Sequence, residues 1–308
     1  MFPSHATCGS RNSIATLTHF NCHGRAGLPR MKLNYFLPSP QHCSLLTMHA
    51  VVDGVSEGFS ALLPAMLPNL HIRLAGSSWY VFANGERVGA PAVALIGPTN
   101  AAYQIELSAG ARMVALGFLP LGWLKLVQCP AHELADGIID GADLWGEKAC
   151  ATLIEQLSEA TLDGSHVSLI ERFLSAVERQ RRHVGLVAAA DHWLEHSPDL
   201  AVDALSEALD VGRRHLQRLM LEVYGAPPKS IAMKYRALRT ATWMATQRPQ
   251  TVAAAVAHYA DQSHLNRDFK RFIGMSPSMF LKDQASVTAG TLLGRYKAGA
   301  RRALSLWS

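Results

Sequence analysis

The sequence predicts an α+β fold, with strands and helices kept to separate parts of the chain. Three observations predict it. Residues 61 to 119 are filled by short β-prone runs punctuated by glycine. After Leu121 the apolar residues recur at three and four, the rhythm of helices, and keep it nearly to the end. Charge divides the same way: residues 1 to 170 carry 9 Lys and Arg against 12 Asp and Glu, net −3, and residues 171 to 308 carry 20 against 12, net +8. A mildly acidic half joined to a basic half directs attention to the second half as the one that meets a polyanion.

At 308 residues the chain has room for two domains, and 49% apolar with 17% charged residues is a folded composition. No apolar run approaches the roughly 18 to 20 residues of a membrane span, since Pro120, Gly122 and Lys125 break Gly117 to Val127. The expectation is a cytoplasmic protein without a membrane partner. Residues 1–30 are rich in Ser, Thr, Asn, Gly and His without periodicity or a signal-peptide core, and read as a disordered leader before Met31. The five cysteines, Cys8, Cys22, Cys43, Cys129 and Cys150, are odd in number and lack any CxxC pair. That argues against a disulfide framework or a zinc site and fits a reducing compartment.

In the β-rich part, Leu70 to Leu74 alternates at period two. Trp79 to Ala83, Ala92 to Ile96, Tyr103 to Leu107 and Met113 to Phe118 follow, separated by Gly76, Gly85, Gly89, Gly97 and Gly110. Such spacing predicts an antiparallel β-sandwich or cupin-like barrel within residues 31–160. Trp79, Tyr80, Phe82 and Tyr103 are its core aromatics, or else line an apolar pocket. Helices are predicted at Gly146 to Ala160 and Leu169 to Arg182, with Thr161 to Ser168 a loop and residues 161–184 a connecting helix. A metal centre needs several His and carboxylates converging on one point. Here His71 lacks an HxH partner, and Glu86 and Glu106 lack a histidine at matching spacing. No P-loop or GxGxxG is present either, so no enzyme, no cofactor and no metal is expected.

The all-α part repeats one plan twice. Val202, Leu205 and Leu209 form the stripe of a short helix, Asp210-Val211-Gly212 interrupts it, and a second helix from about Arg213 buries Leu216, Leu219, Met220 and Val223. Its other face carries Arg214, Gln217 and Arg218. About 48 residues on, Val252 to Ala257 is a small-residue helix, His258-Tyr259-Ala260 the turn, and Leu265, Phe269, Phe272 and Ile273 the stripe of the next helix. Ser263, Asn266, Arg267 and Lys270 lie opposite, with Gln262 and His264 beside them. Arg, Asn and Gln make paired hydrogen bonds to purine edges, and a short helix, a turn and a donor-rich second helix is the shape that enters a DNA major groove. Lys229 to Gln247 reads as one connecting helix with Ile231, Tyr235 and Leu238 in register. Its length of roughly 27 Å, at 1.5 Å per residue, is close to the roughly 34 Å between successive major-groove faces. The rival for these outward residues is a solvated basic face on a helical bundle.

Asp261-Gln262-Ser263-His264-Leu265-Asn266-Arg267-Asp268-Phe269-Lys270-Arg271-Phe272, then Gly274-Met275-Ser276-Pro277, resembles the signature of the AraC/XylS family of transcription regulators. His215-Leu216-Gln217-Arg218-Leu219-Met220 and Gly225-Ala226-Pro227-Pro228 are similar to its first unit. The resemblance covers about residues 185–284. It implies a bacterial, sequence-specific DNA-binding regulator that reads double-stranded DNA through Arg213, Arg214, Gln217, Arg218, Gln262, Ser263, His264, Asn266, Arg267 and Lys270. Asp210 and His258 replace the glycine usual in each turn; both residue types tolerate positive φ, so the turns are expected to survive. The β-rich part resembles, more loosely, a sensor or dimerisation domain of the same family. A small-molecule effector, RNA polymerase and a second copy of the chain are then the further partners to look for. The alternative is a cupin-like small-molecule-binding protein or metalloenzyme with an appended DNA-binding module. Residues 285–308 form a basic tail, with Arg295, Lys297, Arg301 and Arg302 among Leu293, Tyr296, Leu304 and Trp307, either touching a polyanion or left as a solvated terminus.

Overall fold

The computed structural model describes residues 31–197, 200–257, 259–282, 291–292 and 294–295. The leader, His258 and most of the tail therefore lie outside the described residues. Ten strands come first, interrupted by helices only near their end: β1 (Lys32–Phe36), β2 (Leu46–Asp53), β3 (Phe59–Leu63), β4 (Asn69–Ala75), β5 (Ser78–Val81), β6 (Arg87–Gly89), β7 (Val93–Ile96), β8 (Tyr103–Leu107), β9 (Arg112–Phe118) and, after helix α1 (Pro120–Leu126), β10 (Ile138–Asp140). They form a six-stranded sheet of order β1-β2-β9-β4-β7-β10 and a four-stranded sheet β3-β8-β5-β6, each antiparallel throughout. The two sheets enclose a core of Tyr80, Phe82, Ile96, Tyr103, Ile105, Leu107 and Met113. This is the expected antiparallel sandwich, with five strands the glycine-punctuated reading did not reach. β2 shows why: Leu46 to Val51 are all buried, because both faces of the strand are covered and no alternation survives.

Helices α2 (Gly141–Trp145), α3 (Glu147–Glu159) and α4 (Ser165–Val177) cover the other face of the larger sheet. Leu153, Leu157, Ile170 and Leu174 pack there against Leu70, Ile72, Val114 and Leu116. The predicted loop 161 to 168 ends earlier than expected: Asp163 Oδ1 accepts the Ser165 N–H at 3.2 Å and Ser165 Oγ donates to Thr161 O, so the helix begins at Ser165. It also stops at Val177 rather than Arg182. There Glu178 pairs with Lys125 at 2.8 Å, the Arg179 N–H donates to Lys125 O, and His183 takes φ +66°.

The remaining helices are α5 (Val184–His196), α6 (Val202–Ala208), α7 (Arg213–Tyr224), α8 (Pro228–Gln247), α9 (Ala253–Val256), α10 (Gln262–Phe272) and α11 (Pro277–Lys282). Leu216, Leu219, Met220 and Val223 of α7 are buried together with Val187, Leu194, Leu205 and Tyr235. Leu265, Phe269 and Ile273 share a core with Leu238, Ala241 and Met244 of α8. The same core takes in Leu33, Tyr35, Met48 and Ala50 of β1 and β2, so the helical module is seated on the sheet. Leu292 belongs to this core as well, and Arg295 lies over the Tyr35 ring at 5.5 Å, so the tail is packed at those two positions.

Candidate nucleic-acid interface

Two helix-turn-helix units are present where the spacing placed them. In the first, Asp210 takes φ +50°, the left-handed conformation its turn needs. The turn is closed by the Asp210 N–H donating to Glu207 O and the Val211 N–H donating to Ser206 O. In the second, Asp261 caps α10, accepting the His264 N–H at 2.9 Å on one carboxylate oxygen. Connector α8 has 20 residues, roughly 30 Å at 1.5 Å each.

Arg213, Arg214, Gln217 and Arg218 are all exposed, and so are Gln262, Ser263, His264, Arg267 and Lys270; Asn266 is half-buried. The face is thus largely open to a ligand, with two of its members engaged. Arg213 Nη2 lies 3.1 Å from Asp203 Oδ1 across the turn. His264 Nδ1 lies 2.9 Å from Asp261 Oδ2, which ties that ring to its own cap and away from a base edge. The hydrogen bonds from His264 hold the Asp261 carboxyl below its ordinary range against a small opposing effect of burial. Arg214, Gln217 and Arg218 also line a cleft of about 460 Å³ with Pro130 and His132 of the β-rich part, a neighbour the sequence did not suggest.

The residues weighed as metal donors do not converge. His71 is buried against Tyr80, to which it is hydrogen-bonded. Burial, and then the charge of Arg295, push its pKa down to about 3. Glu86 sits in a turn with Asn84, and Glu106 pairs with Arg87 at 2.8 Å on the outside of the smaller sheet. Among the described residues no group of three or more His, Cys, Asp or Glu is arranged to hold a metal ion. Of the candidate pocket aromatics, Tyr80, Phe82 and Tyr103 are core and stack on one another; Trp79 lies on the outer side under Arg87.

One polar cluster escaped the sequence reading, because strand β2 did. His42 Nδ1 lies 3.2 Å and His49 Nε2 3.7 Å from the Glu171 carboxylate, whose Oε1 also accepts the Ser39 N–H at 2.8 Å. Burial works to raise the pKa of Glu171, and the nearby His49 ring and the hydrogen bond from Ser39 outweigh it, keeping it low. His166 packs edge-on against Phe36 and His49, and burial, then the charge of His49, lower its pKa to about 4. These groups fasten α4 to β1 and β2.

Residues 205–283 match the family described as "Helix-turn-helix domain". No curated protein matches the chain. Among solved structures, ToxT from Vibrio cholerae is similar at 12% identity and TM-score 0.45, over 76% of this chain and 97% of that one. A ToxT structure with an unsaturated fatty acid bound aligns at 11% identity and TM-score 0.44, over 77% and 95%. The AraC-like transcriptional activator CuxR aligns at 16% identity and TM-score 0.29, over 68% and 80%. No described helix is long and apolar enough to cross a membrane.

Proposed function

We propose that this chain is a DNA-binding transcription regulator whose helix-turn-helix domain, matched over residues 205–283, is of AraC type, and that α7 and α10 each enter one of two successive major-groove segments. The observation that carries this reading is the repetition. Arg214, Gln217 and Arg218 in the first unit and Ser263, Asn266 and Arg267 in the second occupy the same three positions of their helices, on the side away from the buried stripe. Arg218 and Arg267 are the guanine readers, each able to bond O6 and N7 of one base. Gln217 and Asn266 suit adenine edges, and Ser263 and Lys270 suit the phosphates. Arg213 and Gln262 are the first residues of α7 and α10, where the N–H groups of a helix start also favour a phosphate, and His264 beside them keeps its own N–H on the Asp261 cap.

The proposed division has a leader at 1–30, a sensor or dimerisation domain at 31–160, a connecting segment at 161–184, the DNA-binding domain at 185–284 and a tail at 285–308. The sensor domain acts without chemistry of its own. Control enters through it, by a small-molecule effector or by pairing with a second copy, and RNA polymerase is the partner downstream in a cytoplasmic setting. Selection of bound sequences from a random duplex pool tests the core of this reading. The expected result is two conserved blocks whose centres lie about 10 base pairs apart. Recovery of sequences with no shared block would overturn it.

A further inference from the structure

The C-terminal ends of both recognition helices rest on the sensor domain, and they do so in the same way. Helix α7 ends at Gly225 with φ +78°, and α10 is followed by Gly274 with φ +86°. A Cβ on Gly225 would stand 2.4 Å from Pro98 Cγ, and one on Gly274 would stand 2.6 Å from Leu62 Cδ2 and 2.8 Å from Ala102 Cβ. The last carbonyls of a helix lack partners within it. Here the sensor domain supplies them: the N–H groups of Ala131 and His132 donate to Glu222 O and Leu221 O, and those of Ala65 and Ala102 donate to Phe272 O and Arg271 O.

The sensor segments that do this are themselves one hydrogen-bonded unit. The Gly97 N–H donates to Gly137 O and the Thr99 N–H to Met66 O. Asp136, at φ +54°, donates its N–H to Pro98 O and accepts the Asn100 N–H on Oδ1 at 2.8 Å. In the middle stands Lys234 of the connector α8, almost fully buried, whose Nζ donates to Met66 O at 2.7 Å and to Thr99 O at 2.8 Å.

We infer that Lys234 and Asp136 are positioning residues for DNA reading: they hold the sensor-domain segments 65–66, 97–102 and 131–137 as a brace across α7, α8 and α10, and so set the separation of the two faces that meet DNA. Neither touches DNA. The inference rests on the two-segment reading proposed above. Burial brings the Lys234 pKa down to about 7 against the opposing charge of Asp136. A neutral amine still has two N–H groups for its two carbonyls, so the brace holds on either side of that value. Asn at position 136 keeps both the left-handed backbone and the side-chain acceptor; Ala keeps neither at low cost.

The test uses the full chain and duplexes carrying both selected blocks, either at the selected spacing or with two base pairs inserted between them. Wild type is expected to prefer the selected spacing by at least about tenfold, the scale of one lost specific contact. Lys234→Met and Asp136→Ala are expected to bring that preference to within about threefold of unity, with Asp136→Asn restoring it. Circular dichroism melting checks that each variant is folded, and half-exposed Asp136 keeps the test open if Lys234→Met does not fold. A spacing preference unchanged in folded Asp136→Ala would overturn the brace while leaving the DNA reading intact. Loss of preference in Asp136→Asn equal to that in Asp136→Ala would also overturn it. Were Arg218→Ala and Arg267→Ala to bind either duplex like wild type, the two-segment reading would fail first, and the brace with it.

Discussion

Arg236 Nη2 of the connector helix lies 2.9 Å from Asp268 Oδ2, which is almost fully buried on the inner side of α10. The same guanidinium lies 4.7 Å over the Tyr259 ring. Two elements of the second unit are thereby locked to α8 by one side chain. Asp268→Ala leaves a half-buried cation facing an apolar gap. Because Arg236 retains some solvent, the expected loss is about 1–3 kcal/mol rather than the larger cost of a fully buried pair. The urea midpoint of unfolding measures it, and an unchanged midpoint would show the pair to be incidental.

Arg218 and Arg267 are the exposed arginines at equivalent positions of α7 and α10. Substituting either by Ala is expected to weaken specific binding by about 1–3 kcal/mol and to relax sequence preference in its own block only. Lys270→Ala should instead weaken binding to all sequences alike and make binding less salt-dependent. Gel-shift titrations on selected and scrambled duplexes separate the two outcomes.

Glycine substitutions distinguish interface from open surface. Gly225→Ala adds a Cβ to a left-handed residue and drives it into Pro98, so it is expected to destabilise by roughly 1–3 kcal/mol. Gly185 in α5 has open space around it and an ordinary φ, so Gly185→Ala is expected to stabilise by about 0.5–1 kcal/mol. Thermal unfolding of the two variants should shift in opposite directions.

Acid should unfold this protein through its buried histidines. His166 is lowered to about 4 by burial and then by His49, and His71 to about 3 by burial and then by Arg295. A folded pKa below the ordinary 6.5 means the unfolded chain binds the proton more tightly. Stability from these groups is complete above about pH 6.5 and is lost as pH falls from there through about 4 and 3, at up to roughly 1.4 kcal/mol per pH unit for each histidine. Lys234 acts in the same sense over a higher window, adding stability as pH rises from about 7 towards its ordinary 10.5. Urea titrations at pH 7, 6, 5 and 4 should show the midpoint falling, and His71→Phe should flatten the curve. A flat wild-type profile over this range would count against neutral burial of both rings.

The helical module was legible because its information is local. An apolar stripe at three and four, a turn residue that tolerates φ +50° at Asp210, and donors on the opposite face all lie within a dozen residues of one another. The same held for the five strands bounded by glycine. Strand β2 was not legible, because burial on both faces erases the alternation that marks a strand, and β1, which does alternate from Lys32 to Tyr35, lies outside the glycine-bounded stretch. The His42–His49–Glu171 cluster was hidden with them. What the tertiary structure alone decided is how the two recognition helices are held. Lys234 meets carbonyls 168 and 135 positions away in the chain, and both are main-chain atoms that every residue possesses. Main-chain acceptors leave no mark in composition or spacing. A lysine amid the apolar stripes of α8 becomes informative only once the fold has shown what surrounds it.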